Sequence, residues 1–147
     1  LLEELYKQKT GNTTYQDNIQ IISVDGLSFK RYLNIAKHFR SKRVSIITDN
    51  DKDYIKNIVN KYIDYSSIEN IDIFSDPDEN NYTFEICIYN RNQSILKGIT
   101  SSKDILNFML NNKAEFSLRV LEKLHDNKIN FVTPEYIEDA IEWVRKD

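Results

Sequence analysis

The sequence predicts an α/β fold, a parallel sheet flanked by helices, and three observations carry that expectation. Short apolar runs near 19–24, 43–48 and 70–76 alternate with segments whose apolar residues recur every three to four positions. The runs give way to turn-forming residues at Asp25-Gly26, Asp49 to Asp53, and the stretch "PDENN" from Pro77. Strand, helix, strand, helix, strand at this spacing needs crossover connections, which place parallel strands side by side and helices on the faces.

The elements follow in order. "LLEELYKQ" reads as a helix already under way, and its start at Leu1 rather than methionine predicts a piece of a longer polypeptide. "KTGNTTYQDN" is a polar connector, and "IQIISVDG" a buried strand running into a turn. Ser28 can cap a helix whose inward stripe is Phe29, Tyr32, Leu33, Ala36 and Phe39. After the strand 43–48, Asp53 opens a helix at its positive dipole end, with Ile55, Ile58, Val59, Tyr62 and Ile63 as one stripe. "NIDIFSD" is a third strand. "YTFEICIYN" suits a strand by its β-branched and aromatic residues, or in part a helix. Three helices close the chain. Ser101 and Asp104 are spaced as a capping box, Phe116, Val120, Leu121 and Leu124 face inward, and Thr133 caps a helix with Pro134 at its first position.

The 147 residues, 40% apolar, suit a single domain: a sheet core over about 1–100 and a helical part over 101–147. A net charge of −3 argues against a broad electrostatic grip on nucleic acid, so any such binding is local or metal-assisted. The single cysteine, Cys87, excludes an internal disulfide framework and a cysteine-rich zinc site, and fits the cytoplasm. No apolar run approaches the roughly 20 residues of a membrane span.

"RVSIITDNDKDY" raises the functional question, because an apolar run ends at three aspartates, where a turn needs one. Ligands of an open parallel sheet bind beyond the carboxyl ends of its strands, where Asp49 and Asp51 fall. If the chain stays extended past Thr48, the two carboxylates converge and Asn50 turns away. Two hard oxygen donors suit Mg²⁺ or Mn²⁺. The alternative is a solvated acidic turn with Asp53 as the helix cap, and capping is the role assigned to Asp53. An Asp-x-Asp after a strand also begins the nucleophile loop of haloacid-dehalogenase-like phosphatases.

Taken with its neighbours, "ISVDGLSFKRYLNIAKHF" followed by "RVSIITDNDKD" resembles the Toprim domain of the OLD-family ATP-dependent endonucleases, in particular the A subunit of the Gabija anti-phage system. The matching positions are Gly26 with Phe29 or its neighbour, Asp49 and Asp51, "TFE" ending at Glu85, "NKAEF" at Lys113, and "PEYIEDAI" from Pro134. The resemblance implies a Rossmann-like Toprim sheet and metal-dependent hydrolysis of DNA phosphodiesters. Asp49 and Asp51 would hold one or two Mg²⁺ or Mn²⁺ ions, Glu85 would add a third carboxylate, and Lys113 would offset charge on the phosphate. Read without it, Glu85 is equally a solvent-facing strand residue and Lys113 a surface lysine. The resemblance further implies DNA as substrate, an ATPase domain in the same polypeptide, a homo-oligomer, and a helicase partner of the Gabija B type.

One feature of the family is missing. Toprim domains carry an essential glutamate after a first strand, upstream of the helix that "LLEELYKQ" continues, and Glu3 and Glu4 do not fit that motif. The expectation is therefore a Toprim domain lacking its first strand, which cuts poorly alone. A catalytically silent module for oligomerisation or docking is the alternative from another class, and an Asp-x-Asp phosphatase a third.

The remaining candidates read as ordinary residues. His38 and His125 have no ligand-spaced partner. Arg40, Lys42 and Arg43 precede their strand and so lie at the sheet edge opposite the carboxylates. Arg91 and Lys97 are closer phosphate neighbours. Trp143 and Tyr136 follow core spacing.

Overall fold

A computed structural model describes residues 1–24, 29–126 and 129–146. Gly26 and the capping role expected of Ser28 lie outside the described residues. The described elements are α1 (Leu2–Thr10), α2 (Phe29–Ala36), β1 (Val44–Ile47), a π-helical turn (Ile55–Asn60) continued by a 3₁₀ turn (Ile63–Tyr65), β2 (Ile71–Phe74), α3 (Phe84–Leu96), α4 (Ile105–Asn111), α5 (Lys113–His125) and α6 (Glu135–Val144).

β1 and β2 pair in parallel, Val44 opposite Ile71 and Ile47 opposite Phe74. Alternation along each strand sends side chains to both faces, and both are covered. Val44, Ile46, Ile71 and Ile73 pack with Leu33 and Ala36 of α2 and with Tyr62 and Tyr65. On the other face, Ile47 and Phe74 pack with Tyr136, Ile137 and Ile141 of α6, Tyr6 of α1 and Cys87 of α3. The fold is thus α/β, a small parallel sheet flanked by helices. A third cluster, built on Leu5, Ile88, Leu96, Met109, Phe116 and Val120, joins α1 and α3 to the helical part.

Several expectations need correction. Residues 19–24 form no strand: Ile19 packs beside Tyr6, while Ile21 and Ile22 are exposed. Apolar density does not make a strand without a neighbouring edge to pair with, and among the described residues β1 pairs only with β2. "YTFEICIYN" resolves as helix, with Thr83 as N-cap residue and α3 beginning at Phe84.

The stripe of 55–63 is split. Ile58 and Tyr62 are buried, whereas Ile55, Val59 and Ile63 are exposed, because a π turn advances fewer degrees per residue than an α-helix and rotates those positions outward. Tyr32 and Phe39 are likewise exposed. Two caps shift. Asp104, not Ser101, caps α4 by accepting the Asn107 N–H at 3.0 Å. Pro134, rather than Thr133, is the N-cap residue of α6.

Candidate active site

Four loops and helix ends meet beyond the carboxyl end of the sheet. Asp49 follows β1 after Thr48, whose N–H still donates to Phe74 O at 3.1 Å. The chain then turns sharply. Asp51 and Lys52 have φ of 51° and 66°, so the backbone is not extended through Asp51 as the spacing argument supposed. Asn50 does turn away, into the protein, where it is buried. Asp53 takes the capping role, its Oδ1 accepting the Lys56 N–H at 2.9 Å.

The carboxylate of Asp49 is held from the other side by α3. The Phe84 N–H, one of the free donors of that helix's first turn, donates to Asp49 Oδ1 at 2.9 Å. The next residue is Glu85, which is buried rather than solvent-facing. Lys113 Nζ, from the first residue of α5, lies 3.0 Å from Glu85 Oε2. A lysine there opposes the helix dipole, and the carboxylate offsets that cost.

Electrostatics record the convergence. Burial pushes the Asp49 carboxyl up from 3.8 to about 6; the Phe84 amide and Lys113 pull it down, and Glu85 and Asp51 push it further up. Glu85, Lys113 and Asp51 thus each bear on Asp49, and Lys113 pairs with Glu85. Tyr136 of α6 stands beside this group, its phenol pushed up by burial, then by Cys87 and Asp49.

Behind the carboxylates lies a network with no signal in the sequence. Asp76, buried just after β2, accepts from Asn81 Nδ2 at 3.1 Å and pairs with Arg91 at 3.4 Å. Arg91 thus pairs with Asp76, whose carbonyl oxygen accepts from Asn50 Nδ2. Cys87 is buried, as its setting suggested, and burial with Asp76 nearby pushes its thiol up to about 12. His38 and His125 are exposed, and Arg43 stacks on Trp143 at 5.2 Å, far along the strand from Asp49.

The donors suit a hard divalent ion in kind. Among the described residues no three such side chains are arranged as a metal cage. The raised Asp49 carboxyl and the buried Thr83 hydroxyl oxygen, which lacks a partner one residue from the Phe84 amide, are both groups that a hydrated cation relieves.

The sheet and the acids beyond its carboxyl end define an α/β module whose architecture is compatible with a Toprim-like fold. Residues 1–51 match the family model of the TOPRIM domain of overcoming lysogenization defect protein-like proteins. This stretch, which ends on Asp51 and so takes in both aspartates, is similar to an OLD-like Toprim domain, and Toprim domains generally bind divalent metals. Glu85, Lys113 and the segment from Pro134 lie beyond the matched residues. No curated protein and no solved structure matches the chain. Among the described residues no helix is long and apolar enough to cross a membrane.

Proposed function

We propose that the chain is the nuclease module of an OLD-family or Gabija-type defence endonuclease, hydrolysing DNA phosphodiesters with Mg²⁺ or Mn²⁺. The observation that carries this reading is the Asp49 carboxylate set against the first turn of α3, where it accepts the Phe84 N–H at 2.9 Å, next to the Lys113–Glu85 pair. Asp49 and Asp51 would hold one or two ions, with Glu85 as a further ligand once Lys113 turns to phosphate. A bound divalent ion supplies a water of lowered pKa and neutralises charge on the phosphate oxygens. The chain's own residues do the rest: Asp49 is fixed by the Phe84 amide, and Lys113 presents a cation to the non-bridging or leaving oxygen.

The upstream Toprim glutamate belongs to the same proposal, as do an ATPase domain in the same polypeptide, a homo-oligomer, a helicase partner of the Gabija B type, and the cytoplasm. Supercoiled plasmid incubated with Mg²⁺ or Mn²⁺ tests it, using this chain and a protein extended at its amino end, each with and without Asp49→Ala. Nicking by the extended protein that Asp49→Ala abolishes supports the reading. An inert extended protein sinks it. Turnover of small phosphate esters without DNA cleavage favours the phosphatase.

A second reading, a silent module for oligomerisation or docking, has one observation in its favour. The Lys113–Glu85 pair already neutralises one of the three carboxylates.

A further inference from the structure

We propose that Asn50 is a positioning residue, holding the turn that carries Asp51 so that Asp49 and Asp51 face one divalent cation together. The inference rests on the metal reading of the site.

Asn50 is 1% exposed, although both its neighbours reach solvent. Its side chain uses every polar atom. Nδ2 donates to Asp76 O at 2.8 Å and to Asp78 O at 3.0 Å, and Oδ1 accepts the Lys52 N–H at 2.8 Å. Its carbonyl oxygen accepts from Asp53 N at 3.1 Å and from Asn57 Nδ2 at 2.9 Å. One residue thereby closes the turn after β1 and fastens it to the loop after β2.

That turn needs holding. Asp51 and Lys52 are consecutive left-handed residues, and neither is glycine. Such a conformation is strained in residues other than glycine, and it persists only where the surroundings over-determine it. Lysine has no short polar group to ease the strain, so the Asn50 Oδ1 bond to its amide is a restraint within the turn, beside Tyr82, whose carbonyl accepts the Asp51 N–H at 3.3 Å and whose ring lies under Lys52 Nζ. Released, the turn relaxes toward right-handed φ and carries the Asp51 carboxylate away from Asp49.

The amide is needed rather than a carboxylate, because two carbonyl oxygens face Nδ2. Asn50→Asp keeps an acceptor for Lys52 N–H but turns two hydrogen bonds into repulsions. It also adds a negative charge beside the pair. A positioning role predicts weaker metal binding in spite of that charge, and a merely electrostatic role predicts the reverse.

The test is Mn²⁺ titration followed by electron paramagnetic resonance, on the chain and on Asn50→Asp, Asn50→Ala, Asp49→Asn and Asn70→Ala. Asn70 is the control for plain structural loss. It is also buried, and its Nδ2 donates to the carbonyls of Ala36, Phe39 and Lys42 at the opposite end of the sheet. Groups that orient metal ligands typically contribute 10–100-fold in affinity, so both Asn50 variants should weaken Mn²⁺ binding by about tenfold or more, with Asn70→Ala near wild type. Amide exchange at 51–53 should quicken in the Asn50 variants alone. Asn50→Asp binding Mn²⁺ as tightly as wild type overturns the proposal, as does unchanged exchange at 51–53. Mn²⁺ binding indifferent to Asp49→Asn overturns instead the metal reading beneath it, and the exchange experiment still judges the turn. If Asn50→Ala does not fold, Asn50→Asp decides.

Discussion

Lys113 Nζ lies 3.0 Å from Glu85 Oε2, joining the first residue of α5 to the first turn of α3. Glu85 is buried while the lysine side chain is 55% exposed, so the two partners are unequal. Removing the lysine leaves a buried carboxylate without its counter-charge. Lys113→Met should therefore destabilise the fold by about 1 kcal/mol, toward the low end for an unsatisfied buried group because water reaches the pair. Glu85→Gln should cost less, since the lysine left behind is solvated. Urea unfolding of the two variants measures the difference, and equal losses would contradict the asymmetry.

The pH dependence has a definite sign. Asp49 is raised from 3.8 to about 6 in the fold, chiefly by burial. Its neutral form is favoured there, so its contribution to stability is fully present below about 3.8 and is lost as pH rises through about 6. Asp49→Asn should melt above wild type at pH 7, by an amount worth about 1–2 kcal/mol after discounting for partial exposure. The advantage should shrink toward pH 4. Thermal melts at the two pH values check it, and an advantage that grows on acidification would contradict it.

Asp53 is a cap and nothing more in this account. Its Oδ1 bond to the Lys56 N–H predicts that Asp53→Ala lowers stability by about 1 kcal/mol. Mn²⁺ affinity should be unchanged within error. A large loss of Mn²⁺ binding by this variant would move Asp53 into the metal site.

Cys87 should be chemically quiet. It is 1% exposed, and burial with the Asp76 carboxylate raises its thiol to about 12, so thiolate is scarce at neutral pH. Reaction with a disulfide reagent should be slow in the folded protein and fast in denaturant. Rapid modification of the native protein would refute this environment.

These outcomes depend on features unevenly visible in the chain. The position of Asp49 and Asp51 was legible because the loop after an apolar strand falls at the carboxyl edge of a parallel sheet. The stripes of α5 and α6 were legible because α-periodicity and burial agree there, as at Phe116, Val120, Tyr136 and Ile137. Glu85 was not, because Ile86, Cys87 and Ile88 read alike in a strand or a buried helix, and only the pairing of β1 with β2 leaves this segment off the sheet.

The split stripe of Ile55, Ile58, Val59, Tyr62 and Ile63 was illegible for another reason. A π turn is a backbone choice that leaves no mark in apolar spacing. Ile21 and Ile22 show the same limit from the other side, since their composition suits a strand and no described edge pairs with them. The partners of Asn50 and Asp76 gave no signal, because Asn50 donates to carbonyls of a loop distant in sequence and the Asp76 carboxylate meets Asn81 and Arg91 only once the chain is folded.

We propose that Asp49 and Asp51, after β1, and Glu85, on α3, reach one divalent ion, with Lys113 of α5 beside it for the phosphate. The most direct measurement is paramagnetic broadening of amide resonances on adding substoichiometric Mn²⁺. The account predicts that Asp51, Phe84, Glu85 and Lys113 broaden first and together, and that Asp49→Asn removes the effect. Broadening centred elsewhere, for example on the acidic loop at Asp76 and Asp78, or unchanged by Asp49→Asn, would contradict it.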